Sequence, residues 1–270
     1  MDCGCFSTAF GKAVLKHPQS KGGLNLMQKV FERPKGLTEV EFAYCAGCLH
    51  SVAHRMIAET MDELDIIHNT IGICPVGCSV FMYEYMSCDM IEAAHGRAPA
   101  VATGVKRVLP DRVVFSYQGD GDLASIGTAE IVHAAARGEN ITVIFINNTT
   151  YAMTGGQMAP TTLLGQKSTT CPTGRDPKSA GYPIRVCELL ATLDGPSYIE
   201  RVVPTSPAGL TKTKKAIKKA FENQIEGKGF SMVEVLCNCP TQWKMTPIES
   251  FRWIDENITK AFPPGVFVDR

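Results

Sequence analysis

Apolar residues at Leu49, Val52, Ala53, Met56, Ile57, Met61 and Leu64 recur at helical spacing, so residues 49–64 are expected to form an amphipathic helix. Cys45-Ala-Gly-Cys48 stands just before it as a turn. Residues 66–73 change to a nearly continuous apolar run, read as a strand, and Cys74-Pro-Val-Gly-Cys78 follows as a second cysteine-bearing turn. Residues 98–109 read as a helix with Pro99 in its first turn and Pro110 ending it, and residues 113–117 as a buried strand. After Gly119-Asp120-Gly121-Asp122 come a helix over 124–137, closed by Gly138, and a strand over 141–146, together a βαβ unit. Two further strands, 197–203 and 230–236, are separated by a lysine-rich helix that begins near Pro207 and ends before Gly227. Such alternation predicts an α/β fold, a mostly parallel sheet with helices on both faces. Residues 1–38 show no sustained period and are read as an N-terminal arm; residues 39–270 are read as one domain.

Composition narrows the function. The chain has 270 residues, 27 basic and 27 acidic, hence no formal net charge. That balance argues against nucleic acid or an anionic membrane as partner. No apolar run approaches the roughly 20 residues of a membrane span, and no signal-peptide pattern is visible, so a cytoplasmic location is expected. Eleven cysteines are many for such an enzyme, and a chain of this length needs no disulfide framework, which points to metal-bound thiolates. Cys3 and Cys5 are read as reduced, unligated thiols.

Ligands of open α/β sheets bind beyond the carboxyl ends of the strands, and two strands here end in Gly119-Asp120-Gly121 and Asn147-Asn148. Asp120 offers a carboxylate, Asn148 an amide oxygen and Thr150 a backbone carbonyl, a hard-oxygen set suited to Mg2+ beside phosphates. The glycines let backbone N–H groups approach a diphosphate. Gly-Asp-Gly, 25 intervening residues (122–146) and Asn-Asn is the spacing shared by thiamine diphosphate enzymes. Cys45-x-x-Cys48 is a metal-ligand spacing whose remaining ligands come from Cys74 or Cys78 and from Cys237 or Cys239.

From about Tyr44 onward the sequence resembles the β subunits of 2-oxoacid:ferredoxin oxidoreductases. The marks are Tyr44-Cys45-Ala-Gly-Cys48-Leu-His50, Gly77-Cys78-Ser79, Ala94-His95-Gly96-Arg97-Ala98-Pro99, Tyr117-Gln118-Gly119-Asp120-Gly121-Asp122, Asn147-Asn148, Met153-Thr154-Gly155-Gly156-Gln157, and Val233-Glu234-Val235-Leu236 leading into Cys239-Pro240-Thr241. The resemblance implies a thiamine diphosphate-binding fold. Asp120, Asn148 and the Thr150 carbonyl would hold Mg2+; Gly77, Cys78, Ser79, Gly119, Gly121, Asp122, Ala152 and Met153 would line the cofactor. It also implies one 4Fe-4S cluster on Cys45, Cys48, Cys78 and Cys239, leaving Cys74 and Cys237 spare. The chain departs from the family's Cys-Pro-Gly-Cys-Gly-His at Ala46 and Leu49, which puts the turn geometry near Leu49 in doubt. The implied activity is oxidative decarboxylation of a 2-oxoacid with coenzyme A, electrons passing to ferredoxin. The implied partners are an α subunit supplying the activating glutamate, a γ subunit and a ferredoxin-like subunit.

His50 is the candidate catalytic residue; His95 and Arg97 are weaker candidates, with hydrogen bonding or a surface salt bridge as their plainer roles. Phe81 and Met153 are candidates for shaping the substrate pocket, and the apolar residues there favour a branched-chain 2-oxoacid over 2-oxoglutarate or pyruvate. Lys212, Lys214, Lys215, Lys218 and Lys219 read as the solvated face of a helix, with ferredoxin docking the alternative. Two rival functions remain: a non-redox thiamine diphosphate decarboxylase or carboligase, and a scaffold subunit with zinc on Cys45, Cys48, Cys74 and Cys78.

Overall fold

The computed structural model describes residues 32–270, so Cys3, Cys5 and most of the expected arm lie outside the described residues. The compact unit begins at Lys35, where the backbone N–H groups of Lys35 and Gly36 donate to the Asp62 carboxylate at 2.6 and 2.9 Å. Helix α1 (His50–Glu63) follows the first cysteine turn, and strand β1 (Thr70–Cys74) starts later than the apolar run suggested. Ile66 and Ile67 are used in leaving the helix: Asp65 takes φ 53° and the Ile66 N–H reaches back to the Met61 carbonyl at 3.1 Å, a left-handed helix stop.

A short helix α2 (Met82–Tyr85), the edge strand β2 (Asp89–Glu92), α3 (Ala98–Val108), β3 (Val113–Gly119), α4 (Thr128–Ala136) and β4 (Thr142–Asn147) come next. The hairpin β5 (Thr150–Tyr151) with β6 (Gln157–Met158), then α5 (Pro177–Ala180), lie in the long connection to α6 (Val186–Ala191). The chain continues through β7 (Pro196–Val202), α7 (Pro207–Ile225) and β8 (Phe230–Leu236), and through short helices α8 (Pro240–Trp243), α9 (Pro247–Trp253) and α10 (Thr259–Ala261) to β9 (Gly265–Asp269). The expected helix over 124–137 is entered by one widened turn, Asp122–Ile126, whose Gly127 N–H bonds the Asp122 carbonyl five residues back at 2.9 Å.

The seven strands run in the order β2-β1-β3-β4-β8-β7-β9, all neighbours parallel except β7 with β9. Alternation along each strand divides the core. Phe115, Tyr117, Ile144, Ile146, Val233 and Val235 pack with Met56, Ile57 and Met61 of α1 and Ala216, Ile217 and Phe221 of α7. On the other face Val114, Val143, Phe145 and Met232 pack with Ala98, Ala102, Ile131, Ala134 and Leu190. Burial on both faces is why the central strands read as unbroken apolar runs. β2 and β9 escaped the pattern because they are edge strands with mostly exposed or half-exposed side chains.

The long connection is organised by one cation. Arg175, 6% exposed, donates to six backbone carbonyls: Gly181 (2.9 Å), Ala159 (3.3 Å), Pro160 (2.9 Å), Thr162 (2.8 Å), Ala180 (3.1 Å) and Tyr182 (2.9 Å). Replacing it leaves several acceptors unpaired at one point. Arg175→Met is expected to destabilise the fold by about 3 kcal/mol or more in denaturant titration and to open residues 159–182 to limited proteolysis; wild-type stability and cleavage would contradict this role.

Candidate cofactor and cluster site

In the pairing of β3 with β4, Gly119 stands opposite Ile146, so Asp120 and the Asn147-Asn148 pair leave adjacent strand ends side by side. A cleft opens there, lined from both strand ends. Every residue assigned to the cofactor from sequence lines it: Gly77, Cys78, Ser79, Gly119, Gly121, Asp122, Ala152 and Met153, together with Asp120, Asn148, Thr150 and His50. Phe81 is not in the lining, whereas His95 and Val76 are.

The rim formed by Asp120, Asn148 and Thr150 is held by its own backbone. Thr149 takes φ 58°, and the side-chain oxygens of Asn147 and Asn148 accept from the Thr149 and Thr150 N–H groups, each at 3.2 Å. Asn147 is anchored in turn by donating to the fully buried Glu234 at 2.8 Å. Asp120 is 2% exposed and accepts from the Gly121 N–H (2.8 Å) and, through a short bond, from the Thr161 hydroxyl. Burial, opposed by these donors, pushes its carboxyl up to about 7. Among the described residues no cationic side chain pairs with Asp120 within salt-bridge distance. A buried carboxylate without a counter-charge, beside amide and carbonyl oxygens, fits a hard divalent cation. The glycines fit a diphosphate. A Cβ on Gly119 would meet no atom within 4 Å and so would project into the cleft, while at Gly121 it would come within 2.1 Å of the Tyr151 ring, leaving glycine as the residue that fits.

Thiols from three places in the sequence gather beside this cleft. Burial first, and then the neighbouring Cys48 and Cys45, push the Cys78 thiol up to about 11; burial, then Cys48, Cys78 and Cys45, push Cys239 up to about 12. Thiolates so placed repel one another and need bound metal to persist. Burial pushes the Cys237 thiol up, its S–H donates to the Asn238 carbonyl at 3.6 Å, and its proximity lowers Cys48. Cys74 turns elsewhere, donating to the Ile91 carbonyl at 3.7 Å. Among the described residues no three His, Cys, Asp or Glu side chains converge to hold a single ion. Leu49 fits without strain: its φ is −74°, its side chain is buried, and its N–H donates to Asn238 at 3.0 Å.

Asn238 was missed by motif reading although it stands between Cys237 and Cys239. It is fully buried, and its amide also donates to the Gly47 carbonyl (2.9 Å) and Ser250 (2.8 Å), which bolts the first cysteine turn to the end of β8. Thr161 was missed too, and no spacing signal marks it.

His50 is 3% exposed, and burial lowers its imidazole to about 4, so it is neutral. Its Nδ1 lies 2.6 Å from the Tyr117 hydroxyl, whose proton burial retains. With Tyr117 donating to Nδ1, the His50 proton sits on Nε2. Tyr44 stacks on the His50 ring at 4.9 Å and donates to the Cys78 carbonyl at 3.1 Å. His50 is therefore a rigid hydrogen-bond donor at the cleft rather than a base. Arg97 takes the plainer role, donating to the Ile126 carbonyl at 3.1 Å and pairing with Glu130. The lysine stripe is largely neutralised within the chain: Lys212 pairs with Glu200, Lys214 with Glu59 and Glu63, Lys218 with Glu63, and Lys219 with Asp269. That leaves little free charge for docking an acidic ferredoxin. No helix among the described residues is long and apolar enough to cross a membrane.

Residues 75–235 match the family model for the thiamine pyrophosphate enzyme C-terminal TPP binding domain. The chain is 50% identical over 259 residues to ketoisovalerate oxidoreductase subunit VorA of Methanothermobacter thermautotrophicus, covering 96% of this chain and 53% of that protein. It thus spans about half the length of the first curated relatives it matches. It is 36% identical over 220 residues to 2-oxoglutarate synthase subunit KorB of Methanocaldococcus jannaschii, covering 79% of this chain and 77% of that one. Among solved structures it is similar to the 2-oxoglutarate:ferredoxin oxidoreductase from Magnetococcus marinus, determined with 2-oxoglutarate, coenzyme A and succinyl-CoA bound. There the TM-score is 0.73 and the identity 25%, over 90% of this chain and 86% of that one.

Asp120 makes the metal-free fold pH-sensitive. A carboxyl raised from 3.8 to about 7 contributes stability at low pH that is lost as pH rises through the folded value, roughly 4 kcal/mol if fully expressed. Asp120→Asn should therefore melt higher than wild type at pH 8 without divalent cation, while losing cation-dependent thiamine diphosphate affinity in calorimetry. A lower melting temperature together with unchanged affinity would refute the assignment.

Proposed function

Because the chain belongs to the thiamine diphosphate-binding β subunits of the 2-oxoacid:ferredoxin oxidoreductases, we propose that it forms half of an active site for coenzyme A-acylating oxidative decarboxylation of a 2-oxoacid. Asp120, Asn148 and the Thr150 carbonyl would hold Mg2+, and Gly77, Ser79, Gly119, Gly121, Asp122, Ala152 and Met153 would cradle thiamine diphosphate. Cys45, Cys48, Cys78 and Cys239 would hold a 4Fe-4S cluster. When bound, the cofactor supplies the electron sink for loss of CO2 and the cluster a one-electron acceptor beside it. The observation that carries the reading is Cys78, which lines the cleft and also neighbours Cys45, Cys48 and Cys239. One side chain common to both sites would set a bound cluster, as one-electron acceptor, next to the cofactor.

The chain's own groups prepare the cleft. Neutral His50 offers Nε2–H to substrate oxygen, Tyr117 and Tyr44 fix its ring, and Met153 and Val76 present apolar surface at the mouth. The higher identity to VorA than to KorB supports a branched-chain substrate such as 2-oxoisovalerate over 2-oxoglutarate. An α subunit would contribute the activating glutamate, with a γ subunit and a ferredoxin-like subunit completing a cytoplasmic complex that reduces ferredoxin. The names of the relatives favour this redox reading over a non-redox decarboxylase.

Anaerobically prepared protein should be brown, and Cys78→Ser or Cys239→Ser should bleach it while Cys74→Ser should not. Colourless protein with stoichiometric zinc, or bleaching by Cys74→Ser, would overturn the ligand set. In the assembled complex, kcat/KM with a viologen acceptor should be highest for 2-oxoisovalerate; preference for 2-oxoglutarate would remove the branched-chain assignment.

A further inference from the structure

One residue of the cleft rim holds a conformation that its side chain disfavours. Thr149 takes φ 58°, where a β-branched residue is a rare occupant that persists only if its surroundings enforce it. It stands between Asn148 and Thr150, which line the cleft, whereas Asn147 and Thr149 are fully buried and outside the lining. Three hydrogen bonds enforce the conformation. The Thr149 N–H donates to the Asn147 side-chain oxygen at 3.2 Å, its hydroxyl accepts from Gln166 at 2.8 Å, and its carbonyl accepts from the Thr162 hydroxyl at 2.6 Å. The first of these depends on which way the Asn147 amide points, and Glu234 decides that. It is fully buried on β8, the strand paired with β4. One of its oxygens accepts from Asn147 Nδ2 at 2.8 Å; the other accepts from Arg201 Nε at 2.8 Å and from the Cys187 thiol at 2.9 Å. A carboxylate offers acceptors alone, so Asn147 turns its NH2 to Glu234 and its oxygen to Thr149. Flipping that amide would set a donor against the Thr149 N–H. Arg201, itself fully buried, is bound to Glu188 at 2.6 Å and to the Pro263 carbonyl at 3.0 Å, which fixes the Glu234 carboxylate in turn.

We propose that Glu234 and Asn147 are positioning residues for the divalent cation: by holding Thr149 in its left-handed turn they present the Asn148 side chain and the Thr150 carbonyl to one ion. Neither lines the cleft. The proposal rests on the thiamine diphosphate and Mg2+ reading, and adds that the affinity for the ion is set one layer below its ligands, across β4 and β8. It also specifies the route. If the two residues act by enforcing φ at position 149, a glycine there, which adopts positive φ without steric cost, makes them dispensable.

The test is a double-mutant cycle on Mn2+ binding, followed by electron paramagnetic resonance of the free ion, in the anaerobically prepared full chain with saturating thiamine diphosphate. Asn147→Ala and Glu234→Gln should each weaken Mn2+ binding roughly 10- to 100-fold, the usual loss for a residue that orients a metal ligand. In a Thr149→Gly background the same substitutions should cost little. A merely structural role would lower stability without this suppression. Equal losses in the two backgrounds would overturn the proposal, and so would wild-type affinity in the single variants. Asn147→Ser, whose hydroxyl can accept from the Thr149 N–H and donate to Glu234, should retain part of the affinity. It serves the same cycle if thermal melting shows that either larger change prevents folding. Wild type that binds no Mn2+ would end the cofactor reading first, and this inference with it.

Discussion

Four neighbouring strands, β1, β3, β4 and β8, run parallel and therefore end at the same edge of the sheet. Everything chemical in the molecule depends on that alignment. The turn after β1 delivers Cys78, β3 delivers Asp120, β4 delivers Asn148 and Thr150, and β8 runs on to Cys239. Register makes the delivery specific: Gly119 opposes Ile146, and Asn147 opposes Leu236. A slip of one residue in either pairing would turn a ligand into the core. The cysteine turn before α1 then needs one tether, Asn238, to complete the set.

The groups assembled there are individually unfavourable without their ligands. Asp120 is a carboxylate without a counter-charge, Cys78 and Cys239 sit among other thiols, and His50 and His54 are histidines driven neutral by burial. The His54 Nδ1 atom is buried without a hydrogen-bond partner. Such a concentration of costly groups marks a site whose stability is completed by what it binds. The rest of the fold carries this cost through two apolar cores and the buried Arg201–Glu234 pair (2.8 Å), whose carboxylate also anchors Asn147.

The parts of this architecture with strong periodicity were legible from residues alone. The βαβ unit around Gly119–Asp122, the helix after Cys48 and the strand over 230–236 announce themselves because apolar spacing and turn residues agree. The fold ends where such signals are weak: β2 and β9 lie at sheet edges with exposed side chains, and Ile66 and Ile67 carry apolar character that serves a helix stop instead of a strand. Within the site, the motif residues that line the cleft, among them Gly77, Cys78, Gly119, Asp120 and Asn148, were readable. Asn238 and Thr161 were not, because a side chain that bonds backbone or carboxylate across the fold leaves no local period. The lysines of α7 do form the solvated helix face read from the sequence, and four of them, Lys212, Lys214, Lys218 and Lys219, make ion pairs with Glu200, Glu59, Glu63 and Asp269.

The most direct measurement is an anaerobic crystal structure with thiamine diphosphate and Mn2+ in place of Mg2+, the ion located by its anomalous scattering. The account requires one peak coordinated by the Asp120 carboxylate, the Asn148 side-chain oxygen and the Thr150 carbonyl, with phosphate oxygens completing the shell. A peak bound elsewhere, or Asp120 and Asn148 turned into separate environments with the cofactor in place, would contradict it.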